Sequence, residues 1–338
     1  MILPSIYKSK NAENWTYRPD DMQIFQEAVQ YANDNKVPHA SKDKKKIHLL
    51  LIDVQKDFCY PEGTLYVGGR DGQGAIENNK KIAEFIYQKI DRITNITTTL
   101  DTHFAYQIFF PWFWLDSTDR YLSPHTIITT EMIKKGEVKP NPAIAWWLCN
   151  NNYMWLEKQV AFYTQELEKA GKYQLYLWPP HCIIGTDGHC LAGIIHEARM
   201  FHSFTRGAQS LAEIKGGHPL TENYSILSPE VLLRYDGQAL VQKNVRFIKT
   251  LLDSDAVIIA GQAASHCVKS SIEDLLNEIK AQDPTLVQKV YIMKDCMSSV
   301  VIPGGPDFTD TAKQALDKFT SEGMNVVEST DIAWIDKI

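Results

Sequence analysis

The sequence predicts an α/β fold, a mostly parallel sheet with helices on both faces. Three observations predict it. Short apolar runs alternate with segments whose apolar residues recur every three to four positions, as strand–helix repeats require. The run at 257–260 is apolar without a break and that at 47–52 is apolar but for His48, as strands buried on both faces are. Asp53, Asp101 and Lys215 stand directly at the ends of such runs, and Cys267 follows one closely. Parallel sheets gather residues of that kind along their C-terminal rim, where ligands bind.

The elements follow in chain order. Residues 1–46 are a polar N-terminal extension. Positions 21–33 within it carry a helical stripe of Ile24, Phe25, Ala28, Val29 and Ala32, so the arm is expected to dock. The domain proper is expected over 47–338. Its first strand, Ile47-His-Leu-Leu-Leu-Ile-Asp53, ends on an acid. The Gly-rich stretch at 68–74 does not join a strand to a helix in the G-x-G-x-x-G form of a dinucleotide site. A helix around 76–90 aligns Ile82, Phe85, Ile86 and Ile90, and a second strand runs into Asp101-Thr-His103. Residues 108–172 read as an aromatic-rich helical insertion bearing Trp112, Trp114, Trp146, Trp147 and Trp155. Its helix over 153–170 is stopped by Gly171. This insertion is expected to cap the site or to form a subunit contact. Trp178-Pro-Pro-His-Cys-Ile-Ile-Gly185 is a constrained loop, followed by a helix around 190–203 and a strand end at 212–217.

The remaining chain is organised around residues 256–275. An apolar strand, a turn at 261–265 and a helix carrying Val268, Ile272 and Leu275 place Cys267 at a helix N-terminus. The free N–H groups and dipole there favour a thiolate. A strand over 289–293, a helix with Ala312, Ala315, Leu316 and Phe319, and a strand over 324–328 complete the pattern.

Composition narrows the function classes. The formal net charge is −6 and no dense Lys/Arg stripe occurs, which argues against nucleic acid as partner. No apolar run reaches membrane-spanning length, and the start of the chain lacks a signal-peptide pattern. The six cysteines have no framework spacing. Free thiols in a reducing cytoplasm are therefore expected.

Two constellations carry chemistry. A cysteine nucleophile needs a base for its proton, and a lysine can hold the resulting charges; Cys267, Asp53 and Lys215 are of those types. From the residues alone, Asp53 equally caps a turn, Lys215 equally lies at the surface and Cys267 equally fills a helix–strand junction. In extended backbone Asp101 and His103 point the same way, so both can hold one metal ion. His181, after two prolines, could supply a third ligand and leave positions open for water or substrate. A D-x-H triplet also arises by chance, and His181 could be a hydrogen-bonded loop histidine. The histidines His189, His202, His218 and His266 read as structural or exposed.

The set Asp53-Val-Gln-Lys-Asp-Phe58, Asp101-Thr-His103, Trp178-Pro-Pro-His-Cys-Ile-Ile-Gly-Thr186, Lys215-Gly-Gly-His-Pro219 and Gly261-Gln-Ala-Ala-Ser-His-Cys267 resembles the isochorismatase-like cysteine hydrolases, most of all their nicotinamidase branch. The resemblance spans roughly 47–330 apart from the insertion. It implies a three-layer sandwich around a six-stranded, mostly parallel sheet of Rossmann-like order. It implies Asp53 as general base, Lys215 as its charge partner and Cys267 as nucleophile. A cis Gln262–Ala263 peptide and an oxyanion hole from the N–H groups of Ala263 and Cys267 belong to the same pattern. So do the metal ligands Asp101, His103 and His181, for one divalent ion: zinc first, with iron or manganese as alternatives. Phe58 and Trp178 match aromatic residues lining the substrate pocket. Gln107 stands nearest to a further histidine that many nicotinamidases carry after the triplet, and is expected in the pocket.

The implied activity is hydrolysis of a small amide, nicotinamide-like, to acid and ammonia through a thioester. The alternatives are a metal-free relative acting on another small amide, carbamoyl or vinyl-ether group, and a non-catalytic binding or assembly module. The expected partner is a small-molecule amide, and a homo-oligomer is left open.

Overall fold

The computed structural model describes residues 1–171 and 173–338. Its centre is one six-stranded sheet. In chain order the strands are β1 Ile47–Ile52, β2 Asn95–Asp101, β3 Leu211–Lys215, β4 Ala256–Gly261, β5 Val290–Met293 and β6 Asn325–Val327. Their order across the sheet is β3-β2-β1-β4-β5-β6 and every pairing is parallel. This is the doubly wound order expected from the sequence. It reverses direction between β1 and β4, where a crevice opens beyond the strand ends.

The seven longer helices are α1 Asp21–Asn35, α2 Gly74–Gln88, α3 Tyr153–Ala170, α4 Gly193–Arg206, α5 Val245–Leu252, α6 Cys267–Gln282 and α7 Thr309–Ser321. The two faces of the sheet explain why β4 is apolar throughout and β1 is apolar but for the buried His48. Alternate side chains of a strand point to opposite sides. Ile47, Leu49 and Leu51 join Ile258 and Ala260 in a core with Ile82 and Phe85 of α2 and Phe201 of α4. Leu50 and Ile52 join Val257 and Ile259 in a second core with Phe247 of α5, Ile272 of α6 and Ala312 of α7.

The N-terminal arm lies on the first layer. Asp20 caps α1 by accepting the N–H groups of Met22 and Gln23, and Ile24 and Ala28 are fully buried. Asp43 pairs with the buried Arg206 at the end of α4. The amphipathic α5, with Phe247, Ile248 and Leu251 inward, was not among the sequence expectations. Among the described residues no helix is long and apolar enough to cross a membrane, and the six cysteines are unpaired.

Residues 108–171 form a third cluster beside the sheet. Two small antiparallel pairs, Trp114–Asp116 with Val138–Pro140 and Ile127–Ile128 with Leu175–Tyr176, frame helix α3. Gly171, in the left-handed conformation, ends that helix as expected. Phe109, Phe113, Trp114, Leu156 and Tyr163 share one apolar core with Phe58 and Trp178. The added segment is therefore packed onto the pocket residues, with Trp146 and Trp147 left exposed.

Candidate active site

Asp53 leaves β1 with φ +46°, a conformation aspartate tolerates better than most residues. Its N–H donates to the Thr99 hydroxyl (2.9 Å), and that hydroxyl in turn donates to the Asp53 carboxylate. Lys215 ends β3, two strands away, and its Nζ lies 2.9 Å from Asp53 Oδ2 and 3.0 Å from Asp101 Oδ1. The same Nζ is 3.6 Å from Cys267 Sγ. All four residues are buried. The sheet order accounts for the meeting: β1, β2, β3 and β4 present their C-terminal ends at one rim.

The charges act on one another strongly. Burial pushes the Asp53 carboxyl up, helped by the charge of Asp101 and opposed by Lys215 and Thr99. Burial acts on Asp101 in the same direction, but His103 and Lys215 outweigh it and hold that carboxyl well below the usual range. Burial would also lower Lys215; Asp101 and Asp53 overcome it and keep the ammonium charged. The Cys267 thiol is pushed well up by burial, against the pull of Lys215, and the nearby charges of Asp53 and Asp101 add to the shift. Asp53 and Cys267 both contact the Lys215 ammonium, which brings the carboxylate beside the thiol.

Asp101, His103 and His181 converge as well. The loop carrying His181 is laid along Asp101-Thr-His103 by backbone bonds from His103 N–H to the Cys182 carbonyl (3.0 Å) and from Ile184 N–H to the His103 carbonyl (3.0 Å). Asp57 fastens the same loop by accepting the Cys182 N–H (2.7 Å). Gln55 grips the Asp101 backbone from both sides, donating to its carbonyl and accepting its N–H. Candidate ligand atoms of the three residues lie within 4.8 Å of one another.

The hydrogen bonds assign the tautomers. His103 Nδ1 faces the Gly216 carbonyl (3.1 Å) and His181 Nδ1 faces the Pro179 carbonyl (2.7 Å). A carbonyl only accepts, so each Nδ1 carries the hydrogen and each Nε2 presents a lone pair. Those lone pairs face Asp101 Oδ2, at 2.9 Å from His103 and 3.6 Å from His181. Acceptors turned towards one another repel unless a proton or a metal ion lies between them. Backbone-oriented imidazoles with a carboxylate are the donor set of a divalent site, so the residues fit a metal ion.

A cavity of about 50 Å³ opens over these groups. Cys267, Ala263 and the three candidate metal ligands line it, as do Phe58 and Trp178. Asp53 and Lys215 lie beneath that lining. The Gln262–Ala263 peptide is cis. Gln107 departs from expectation: it is buried outside the cavity lining, where its amide donates to the Gly216 carbonyl (3.2 Å). It supports the turn after Lys215 rather than facing a ligand.

Other wall residues escaped the sequence. His266, read as structural, lines the cavity, its ring against Trp178 and Phe308. Its place next to Cys267 was the available signal. Phe109 comes from the insertion, and its ring lies 4.8 Å from that of His103. Glu222, Asn223 and Tyr224 come from a polar stretch after β3 with no periodic pattern, which gave no local sign of burial.

No known protein-family model matches this chain, and no curated protein matches it. Solved structures do resemble it. The yeast nicotinamidase Pnc1p is 19% identical, covering 83% of this chain and 99% of its own, with a TM-score of 0.50. The same yeast enzyme bound to the inhibitor nicotinaldehyde is 18% identical over 83% of this chain and 99% of its own, again at 0.50. An Acinetobacter baumanii nicotinamidase is 18% identical over 86% of this chain and all of its own, at 0.49. The chain thus shares its fold with nicotinamidases.

Proposed function

We propose that this chain is a metal-dependent cysteine amidohydrolase that converts a small, nicotinamide-like carboxamide to the acid and ammonia. The observation that carries the reading is the buried Lys215 ammonium, which touches Asp53, Asp101 and Cys267 at once. It joins a nucleophile–base pair to a candidate metal cluster within one cavity. Structural ion pairs seldom place a thiol, its base and two bare imidazole nitrogens together.

The reaction would run as follows. Asp53 takes the Cys267 proton while Lys215 holds the charges, and Sγ attacks the carboxamide carbon. The N–H groups of Ala263 and Cys267 have no acceptor among the described residues, which suits them to receive the oxyanion. The C–N bond then breaks, the proton on Asp53 passes to nitrogen, and ammonia leaves a thioester on Cys267. Water enters, Asp53 takes one of its protons, and the oxygen attacks the thioester carbon. The C–S bond breaks, the proton returns to sulfur and the carboxylic acid departs. When bound at Asp101, His103 and His181, a divalent ion would supply a Lewis acid that anchors a donor atom of the substrate; zinc is the first candidate, then iron or manganese.

Six unpaired thiols fit a reducing, cytoplasmic setting. One observation favours a second reading within the same chemistry. Phe109, from a segment outside the family pattern, forms part of the wall and would alter which amide or carbamoyl group fits. An ammonia-release screen with nicotinamide, pyrazinamide and aliphatic amides, run with metal analysis, tests both. Release from the aromatic amides by metal-loaded protein supports the first reading. Release only from other amides supports the second, and no release from any amide refutes both.

A further inference from the structure

Glu222 is a carboxyl group that the reaction above does not use. It is 2% exposed and lines the cavity that Cys267 lines. Two phenols hold it. Tyr163 of α3 donates to one carboxylate oxygen and Tyr224 to the other, each at 2.8 Å. The direction of both bonds is fixed by what lies behind them. The Trp178 indole N–H, which can only donate, gives to the Tyr224 oxygen (2.7 Å). The Glu222 backbone N–H likewise gives to the Tyr163 oxygen (2.9 Å). Each phenol therefore spends its hydrogen on Glu222, and the carboxyl accepts on both oxygens.

No cation answers this group. Among the described residues, no lysine, arginine or histidine pairs with Glu222; the charge that reaches it is that of Glu230, of the same sign. Burial first, and then Glu230, push its carboxyl up to about 8, while the two phenols pull the other way. Among the described residues this buried acid, set for accepting, has no nitrogen base to share its proton. The cavity is where that base can come from.

We propose that Glu222 is a specificity-determining residue, which binds a basic amine nitrogen that the substrate carries apart from its scissile amide. With the proton on nitrogen the two form a charge-assisted bond; with it on the carboxyl they form a neutral O–H···N bond. An anionic substituent at the same place would meet a buried carboxyl and be refused. Tyr163 belongs to the insertion, so the added segment reaches substrate choice through this phenol. The inference rests on the amidohydrolase reading and narrows it to amine-bearing carboxamides.

The test compares pyridine carboxamides bearing an aminomethyl group at each ring position with their hydroxymethyl isosteres. Wild-type protein is expected to favour at least one amine by about tenfold or more in kcat/KM. Glu222→Gln should bring that ratio close to one. The proposal is overturned if no amine is preferred by wild-type protein, a comparison that needs no variant to fold. It is equally overturned if Glu222→Gln lowers both members of each pair alike. Calorimetric binding of the same pairs to Cys267→Ala separates the two readings. A preference in Kd without turnover by any wild-type sample sinks the amidohydrolase reading alone, and turnover without a preference sinks this one alone.

Discussion

Replacing Lys215 by methionine is the most informative perturbation of the buried charges. The methionine keeps most of the lysine stem and removes only the ammonium. In the structure that ammonium lies 2.9 Å from Asp53 and 3.0 Å from Asp101, with 2% of the lysine side chain exposed. Removing one partner of a buried pair costs about 3–5 kcal/mol, because the remaining charge is left uncompensated. That is a large share of the roughly 5–15 kcal/mol that holds a domain together. The loss should be near its full size at pH 8, where Asp53 must either stay charged or take up a proton at a cost. It should shrink towards pH 5 as protonation becomes easier, since the folded state then binds the extra proton. Adding Asp53→Asn to Lys215→Met should restore part of the stability, because one stranded charge is gone. Urea unfolding followed by tryptophan fluorescence, in chelator and at both pH values, measures all of this. A loss below about 1 kcal/mol, or a double variant less stable than Lys215→Met alone, would refute the idea that the ammonium neutralises this cluster.

His103→Ala should cut bound divalent metal in elemental analysis to a small fraction of the wild-type content while far-UV circular dichroism is unchanged; an undiminished content would remove His103 from the ligand set. Gly216 has φ +83°, and an added Cβ would come within 2.6 Å of both Asp101 Oδ1 and the His103 ring. Gly216→Ala should therefore lower metal content and turnover together, and retention of both would show that the turn can move aside. Burial lowers His48 and His202 from 6.5 to about 4. Each contributes stability that is complete above pH 6.5 and lost as pH falls towards 4, at about 3 kcal/mol apiece. His48→Gln should flatten the urea-derived stability between pH 6.5 and 4, and an unchanged slope would mean that the imidazole titrates freely.

The fold was legible because its strands are buried on both faces. The run 256–260, and 47–52 with the single exception of His48, are apolar, and α2, α6 and α7 carry plain one-sided stripes. The six residues of the two constellations could be candidates from their places at strand ends and in a constrained loop, but only the family resemblance singled them out from the bland alternatives. What was not legible depends on contacts remote in sequence. Glu222 owes its burial to Tyr163, 59 positions away, and to Trp178 through Tyr224. Nothing in its own neighbours marks it as other than a solvent-facing acid. Gln107 was misjudged for the converse reason: a position matched to a family histidine says nothing of rotation about the chain, and here the side chain turns to the Gly216 carbonyl.

The central claim is that the sulfur of Cys267 forms a covalent bond to the substrate carbonyl with Asp53 as base. Peptide mass spectrometry of protein quenched during turnover of the amide with the fastest ammonia release tests it directly. The account predicts an acyl group on Cys267 in wild-type protein, and neither adduct nor ammonia from Cys267→Ala or Asp53→Asn. Undiminished ammonia release by Cys267→Ala would contradict it.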